Sequence, residues 1–226
     1  GLDKLNLTAL SEEPKVVYDI LKDLSGKYKE EKYGRSFLEA TFTSSGSYGK
    51  CDSSVGRVLN RIELRDRKGK EHHLRNFVFG AKIAVLIPHH TLLVPFDTKG
   101  MGKFLNDLNM RDEPTKEELI NAIEYMQKKY EGKEKDIPRS ELLRLCEIYK
   151  FLSNFDFASP DIFLRTGYFH SCWFKPKECY WSDPTTQFKK YRPIIGDFYK
   201  TLGKDNPELF QKFGVNPFPS VEDVFN

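Results

Sequence analysis

Gly46-Ser47-Tyr48-Gly49-Lys50-Cys51 is the stretch with the most obvious chemical potential, because glycines followed by a lysine can present backbone N–H groups and an ammonium to phosphate. The phosphate-loop motif needs a leading glycine where Ser44 stands, and a Ser or Thr metal ligand where Cys51 stands. An exposed loop without a nucleotide site is therefore expected. His170, Cys172 and Cys179, with Asp183 nearby, offer donors of the kind zinc takes. Their spacing lacks the tight Cys-x-x-Cys knuckle, and Trp173 and Phe174 flank them, so buried structural thiols are expected and no metal. His72-His73 and His89-His90 are adjacent pairs, and neighbours on a strand point to opposite faces. Neither pair is placed to close on one ion.

Cations supply the stronger signal. Arg57, Arg61 and Arg65 recur on one face of a period-two segment, and Arg67, Lys68, Lys70 and Arg75 carry positive charge around the following turn and return strand. Such a stripe can track phosphates or an acidic peptide, but Glu63, Asp66 and Glu71 interrupt it, and a solvated strand face with cross-strand ion pairs is the plainer reading. A second patch places Lys175, Lys177, Lys189, Lys190 and Arg192 among Tyr180, Trp181, Phe188 and Tyr191, joining charge to stacking surface. The candidate binding residues are thus Arg57, Arg61, Arg65, Arg67, Lys68, Lys70, Arg75, Lys175, Lys177 and Trp181. No catalytic residue and no cofactor are expected.

The elements that position these groups follow from periodicity. Ser11-Glu12-Glu13-Pro14 precedes Val17, Ile20, Leu21, Leu24 and Tyr28, the spacing of an amphipathic helix ending between Gly26 and Glu30. Ser36 to Thr43 alternates as a strand. Arg57 to Asp66 and Glu71 to Phe79 read as a β-hairpin about Asp66-Arg67-Lys68-Gly69. Ala81 to Ile87 is an apolar run of strand length, and Thr91 to Phe96 is another short extended piece between prolines. Thr115-Lys116-Glu117-Glu118 is a capping box opening a helix through Leu119, Ile123 and Met126. A second helix, from about Ser140 to Ser153, is expected to form an antiparallel hairpin with it. Asp161 to Arg165 and Ser171 to Phe174 form a short hairpin about Thr166-Gly167, and the tail is helical only in short pieces. The fold class is α+β, antiparallel β-hairpins with packed amphipathic helices, divided into regions 1–100 and 101–226.

Composition limits the function classes. The chain has 226 residues, 39% hydrophobic, and no apolar run approaches the length of a membrane span. Thirty-six Lys plus Arg against 33 Asp plus Glu leave a net +3, so an anionic partner must meet a local patch. Four cysteines in this length are too sparse for a secreted disulfide framework, which points to reduced thiols in a cytoplasmic or nuclear protein. No leader pattern occurs at Gly1-Leu2-Asp3-Lys4, which reads as a cleavage boundary within something larger.

Segments 105 positions apart also match: Leu105 with Phe210, Leu108 with Phe213, Met110 with Val215, Pro114 with Pro219, Thr115 with Ser220 and Glu117 with Glu222. Each is an apolar helical turn, then a proline, a Ser/Thr cap and acidic residues where a helix dipole favours them. The second copy stops at Asn226 as its helix should begin, the pattern of a truncation.

The segments Phe104 to Ile123 and Leu209 to Asn226, with Phe174 to Phe188 and its Pro176-x-x-Cys179 and Trp181-x-Asp183 spacings between them, resemble repeated segments of the sacsin and plant NO VEIN group of very large proteins. The resemblance covers about residues 80–226. That group carries a gyrase/histidine-kinase-type ATPase domain, whose Asp-x-Gly-x-Gly turn is missing here. Glu117-x-x-x-Asn121 has the spacing of its Mg-binding helix box, but Glu117 and Glu118 already serve as the acidic part of a helix start. What the resemblance implies is a non-catalytic scaffold or client-contacting segment of a chaperone-like or regulatory multidomain protein. Its partners would be proteins or neighbouring domains of the same polypeptide, with a nucleic-acid-binding module built on the Arg57–Arg75 hairpin as the alternative.

Overall fold

The computed structural model describes residues 14–30, 62–133, 136–155, 162–167 and 172–220. The expected strand at 36–43, the glycine-rich loop at 44–51, Arg57, Arg61 and His170 lie outside these residues. The chain forms two compact units, Gly1–Pro114 and Thr115–Asn226.

In the first unit, α1 (Pro14–Glu30) buries Val17, Leu21, Leu24 and Tyr28, the stripe that its 3.6-residue periodicity places on one face. β1 (Glu63–Arg65) pairs antiparallel with β2 (Glu71–His73), Leu64 opposite His72. Ile62 and Leu64 point into the core while Arg65 faces solvent, the alternation a pleated strand imposes. The return strand is shorter than its sequence suggested, because Leu74–Asn76 turns as a 3₁₀ helix. Beyond it Val78 makes parallel bridges to both Leu93 and Arg111, a three-way ladder one residue wide. Only this bridge at Leu93 realises the extended piece expected from Thr91 to Phe96.

Ala81 to Ile87, expected as a strand, is instead the helix α2 (Ala81–Leu86). Six apolar residues cannot declare their period, and here the partners decide. Ile83 and Leu86, three apart, are buried, whereas Val85 is 62% exposed, and Lys82 reaches Glu113 at 2.7 Å. Gly80, with φ +97°, sets the helix start, where an added Cβ would come within 3.3 Å of the Asp112 side chain. α3 (Gly102–Asp107) then delivers Phe104 and Leu105 to the core, joined by Leu108 and Met110. These residues belong to the first compact unit, which runs to Pro114.

The second unit opens with the capping box: Glu118 N–H donates to Thr115 Oγ1 at 3.2 Å, and Thr115 N–H donates to Glu118 Oε2 at 2.8 Å. It starts α4 (Lys116–Lys129), which packs against α5 (Arg139–Leu152). Lys129 at the end of α4 pairs with Glu141 near the start of α5 at 3.6 Å, as in an antiparallel pair. β3 (Leu164–Arg165) and β4 (Trp173–Phe174) form the second hairpin, antiparallel. α6 (Gly196–Thr201) and α7 (Pro207–Lys212) are the short helices of the tail. Two hairpins together with seven α-helices among the described residues establish the α+β class.

Candidate interaction surface

The basic hairpin tip is built around a carboxylate. Asp66 Oδ1 accepts from the amides of Lys68 at 2.8 Å and Lys70 at 2.9 Å. The turn closes through Asp66 N–H to Lys70 O at 2.8 Å, and Gly69 takes φ +82°, which a residue with a Cβ enters only at a cost. Partial burial alone would push the Asp66 carboxyl up. The amides of Lys70 and Lys68, with His72 at 3.2 Å, outweigh it and hold the group below its ordinary value. His73 faces Glu63 at 3.4 Å, so the two adjacent histidines are committed to different carboxylates, as alternation requires.

The expected arginine stripe is broken where it is described. Arg65 is drawn across the ladder to Glu71 at 3.3 Å, and the Arg67 guanidinium donates to the Pro88 carbonyl. Both therefore help to fasten the hairpin while remaining exposed. Lys68, Lys70 and Arg75 are exposed as well, the first two on a turn whose backbone is fixed by Asp66.

The second patch divides in the same way. Trp181 is a core residue, 8% exposed, its ring stacked on Phe210 with centroids 5.3 Å apart and planes at 26°. It offers no free face to a base or a peptide, which corrects its assignment as a binding residue. Lys175 and Lys177 extend their side chains to solvent. Their backbones are engaged: Lys175 N–H donates to Glu178 Oε2 at 2.8 Å, and Lys177 O accepts from Asn216 Nδ2 at 3.3 Å. Tyr191 is 75% exposed.

Groups that might have done chemistry serve the fold. Burial pushes the Cys146 thiol up to about 11 and the Cys179 thiol up to about 12, where neither supplies thiolate at neutral pH. Asp183 accepts from four donors, the Thr185 hydroxyl at 2.8 Å and the amides of Thr185, Phe188 and Lys189 at 3.2, 2.7 and 3.2 Å. Burial alone would raise that carboxyl, and these donors leave it lowered. Among the described residues no group of three or more His, Cys, Asp or Glu is arranged to hold a metal ion.

Sequence reasoning missed two centres. Asp183 anchors its turn through the Asp-Pro-Thr-Thr pattern, whose side chain-to-backbone bonding is a readable signal. The other centre is a buried tyrosine pair. Tyr149 OH donates to Phe163 O at 2.9 Å and accepts from Arg165 N–H at 3.1 Å, while Tyr199 OH donates to Arg165 O at 2.7 Å. Burial drives both phenols far above their ordinary range, so they act as neutral hydrogen-bonding posts. Arg165 itself is 6% exposed and lies over the Phe198 ring at 5.2 Å. A cation just before Thr166-Gly167 reads in sequence as an exposed turn residue, and nothing local marks it as buried.

Comparison with family models, with curated proteins and with solved structures finds no match.

Proposed function

We propose that this chain is a non-catalytic interaction segment, a scaffold portion of a larger regulatory or chaperone-like protein that contacts protein partners or neighbouring domains of its own polypeptide. One observation carries the reading: the thiols, carboxylates and phenols best suited to chemistry are bonded into the core or the turns, while Lys68 and Lys70 stand exposed on a turn whose backbone Asp66 fixes. Cys146, Cys179, Asp183, Tyr149 and Tyr199 all hold structure. Lys68, Lys70, Arg75, Lys175 and Lys177 are exposed. The resemblance of residues 80–226 to the repeated segments of sacsin and NO VEIN supports the same reading. The sparse cysteines, with Cys146 and Cys179 buried as thiols, suit a reducing compartment, the cytoplasm or nucleus. No helix among the described residues is long and apolar enough to cross a membrane.

A second reading, a nucleic-acid-binding module, draws on Lys68 and Lys70 at the fixed tip, which can meet phosphates without ordering a loop. Labelled DNA and RNA oligonucleotides, titrated with the full chain across a salt series beside a Lys68→Glu/Lys70→Glu variant, separate the two. The scaffold reading expects no binding tighter than about 100 µM at 150 mM salt in either protein. Micromolar affinity that falls steeply with salt and disappears in the variant would put the nucleic-acid reading first.

A further inference from the structure

The 105-residue match covers only a helix end and the corner after it, yet the hydrogen bonding inside the two units agrees over a far longer stretch. In the first unit, buried Ile62 and Leu64 lead into a hairpin, and the 3₁₀ turn Leu74–Asn76 follows, entered at His73 (φ −59°, ψ 142°) and closed by Phe77 N–H to Leu74 O at 3.0 Å. In the second, buried Ile162 and Leu164 lead into a hairpin, and Pro176–Glu178 follows, entered at Lys175 (φ −67°, ψ 145°) and closed by Cys179 N–H to Pro176 O at 3.0 Å.

The residue after each turn's closing residue is the centre of a parallel three-way ladder: Val78 between Leu93 and Arg111, and Tyr180 between Ile194 and Asn216. The bonds correspond one to one. Val78 N–H to Leu92 O at 2.9 Å matches Tyr180 N–H to Pro193 O at 3.0 Å, and Val94 N–H to Val78 O at 3.0 Å matches Ile195 N–H to Tyr180 O at 2.8 Å. Phe79 N–H to Arg111 O at 2.9 Å matches Trp181 N–H to Asn216 O at 2.8 Å.

The corner repeats as well. α3 and α7 are each six residues long, and each is followed, two residues past its end, by a residue of positive φ, Asn109 at +60° and Gly214 at +95°. The next amide then reaches back to the helix, Met110 N–H to Leu105 O at 3.1 Å and Val215 N–H to Phe210 O at 3.2 Å.

Any one of these pieces is common, since left-handed helix ends occur throughout proteins. Their shared order, around a bridge flanked on both sides in parallel, is a property of topology, and chance does not supply it twice at nearly constant spacing. We propose that the two units are two copies of one folding module. The copies share the buried Ile-x-Leu strand, the 3₁₀ turn, the ladder and the corner. They differ at the hairpin tip, Asp66-Arg67-Lys68-Gly69-Lys70 in the first against a turn beginning Thr166-Gly167 in the second. The module folds around either tip, so the fold does not require the lysines of the first, and they are free to serve recognition.

Equivalent positions must tolerate the same residues, and the corner tests this in the full chain. Exchanging the two residues, Asn109→Gly and Gly214→Asn, should each leave the melting temperature within about 3 °C of the parent, since both types enter positive φ readily. Asn109→Val and Gly214→Val should each lower it by roughly 5 °C or more and speed hydrogen exchange at Met110 and Val215 respectively. A Gly214→Asn variant as damaged as Gly214→Val, or an Asn109→Val variant without effect, would overturn the equivalence.

Discussion

Replacing Gly196 by alanine is expected to destabilise the second unit by about 3 kcal/mol, a shift on the order of 10 °C in melting temperature. The cause is space, since the backbone there is ordinary. A Cβ on Gly196 would stand 2.3 Å from the Trp181 carbonyl oxygen and 3.2 Å from its ring. The same carbonyl accepts the Gly196 N–H at 2.9 Å, so the two chains cannot part without losing that bond. The neighbouring ladder bond, Ile195 N–H to Tyr180 O at 2.8 Å, would be pulled with them. Gly102 is the control, because it opens the equally short helix α3 with nothing within 4 Å of its would-be Cβ. Gly102→Ala should be neutral or stabilising by up to about 1 kcal/mol. Denaturant titration of both variants checks the pair.

The second large effect is expected at Phe210. Its ring lies 4.3 Å from Tyr199, 5.3 Å from Trp181 and 6.1 Å from Tyr149, and it is 1% exposed. Three aromatic neighbours form a stiff cage that cannot collapse onto the volume left by truncation. Phe210→Ala should therefore cost about 4 kcal/mol, the transfer of the ring plus the cavity left behind. The loss should also appear in near-ultraviolet circular dichroism, because Trp181 loses the ring it stacks on. Phe210→Leu, which keeps most of the volume, should recover more than half of the lost stability. Equal damage from Ala and Leu would mean that the aromatic face, and not filled space, is what the site requires.

The parts of this fold that were legible in the sequence are those whose cause is local. The capping box at Thr115 and Glu118 fixes where α4 begins, through two hydrogen bonds that involve only four consecutive residues. The hairpin at 63–73 follows from alternation and a turn that Asp66 and Gly69 close by themselves. The corner after α3 shows in the residue types alone, which is why the match with α7 was visible at 105 positions. Where the deciding neighbour is distant in sequence, the reading fails. α2 is a helix because Ile83 and Leu86 find the core and Lys82 finds Glu113, facts absent from the run AKIAVL. Trp181 looked like a stacking platform because cations surround it in sequence, yet Phe210 covers its face. The Arg65–Glu71 pair is the cross-strand kind that alternation makes available, whereas the Pro88 carbonyl that Arg67 meets is brought to it only by the loop beside the hairpin. Charge counts along a strand cannot show which cations are already engaged.

Native-state hydrogen exchange of the intact chain tests most directly whether each unit is held by its own ladder. The amides of Val78, Phe79 and Val94 in the first unit, and of Tyr180, Trp181 and Ile195 in the second, should be among the slowest to exchange, with opening free energies of about 5 kcal/mol or more. Exchange at loop-like rates at Val78 or Tyr180 would contradict the ladder as the feature that organises the fold, and with it the equivalence of the two units.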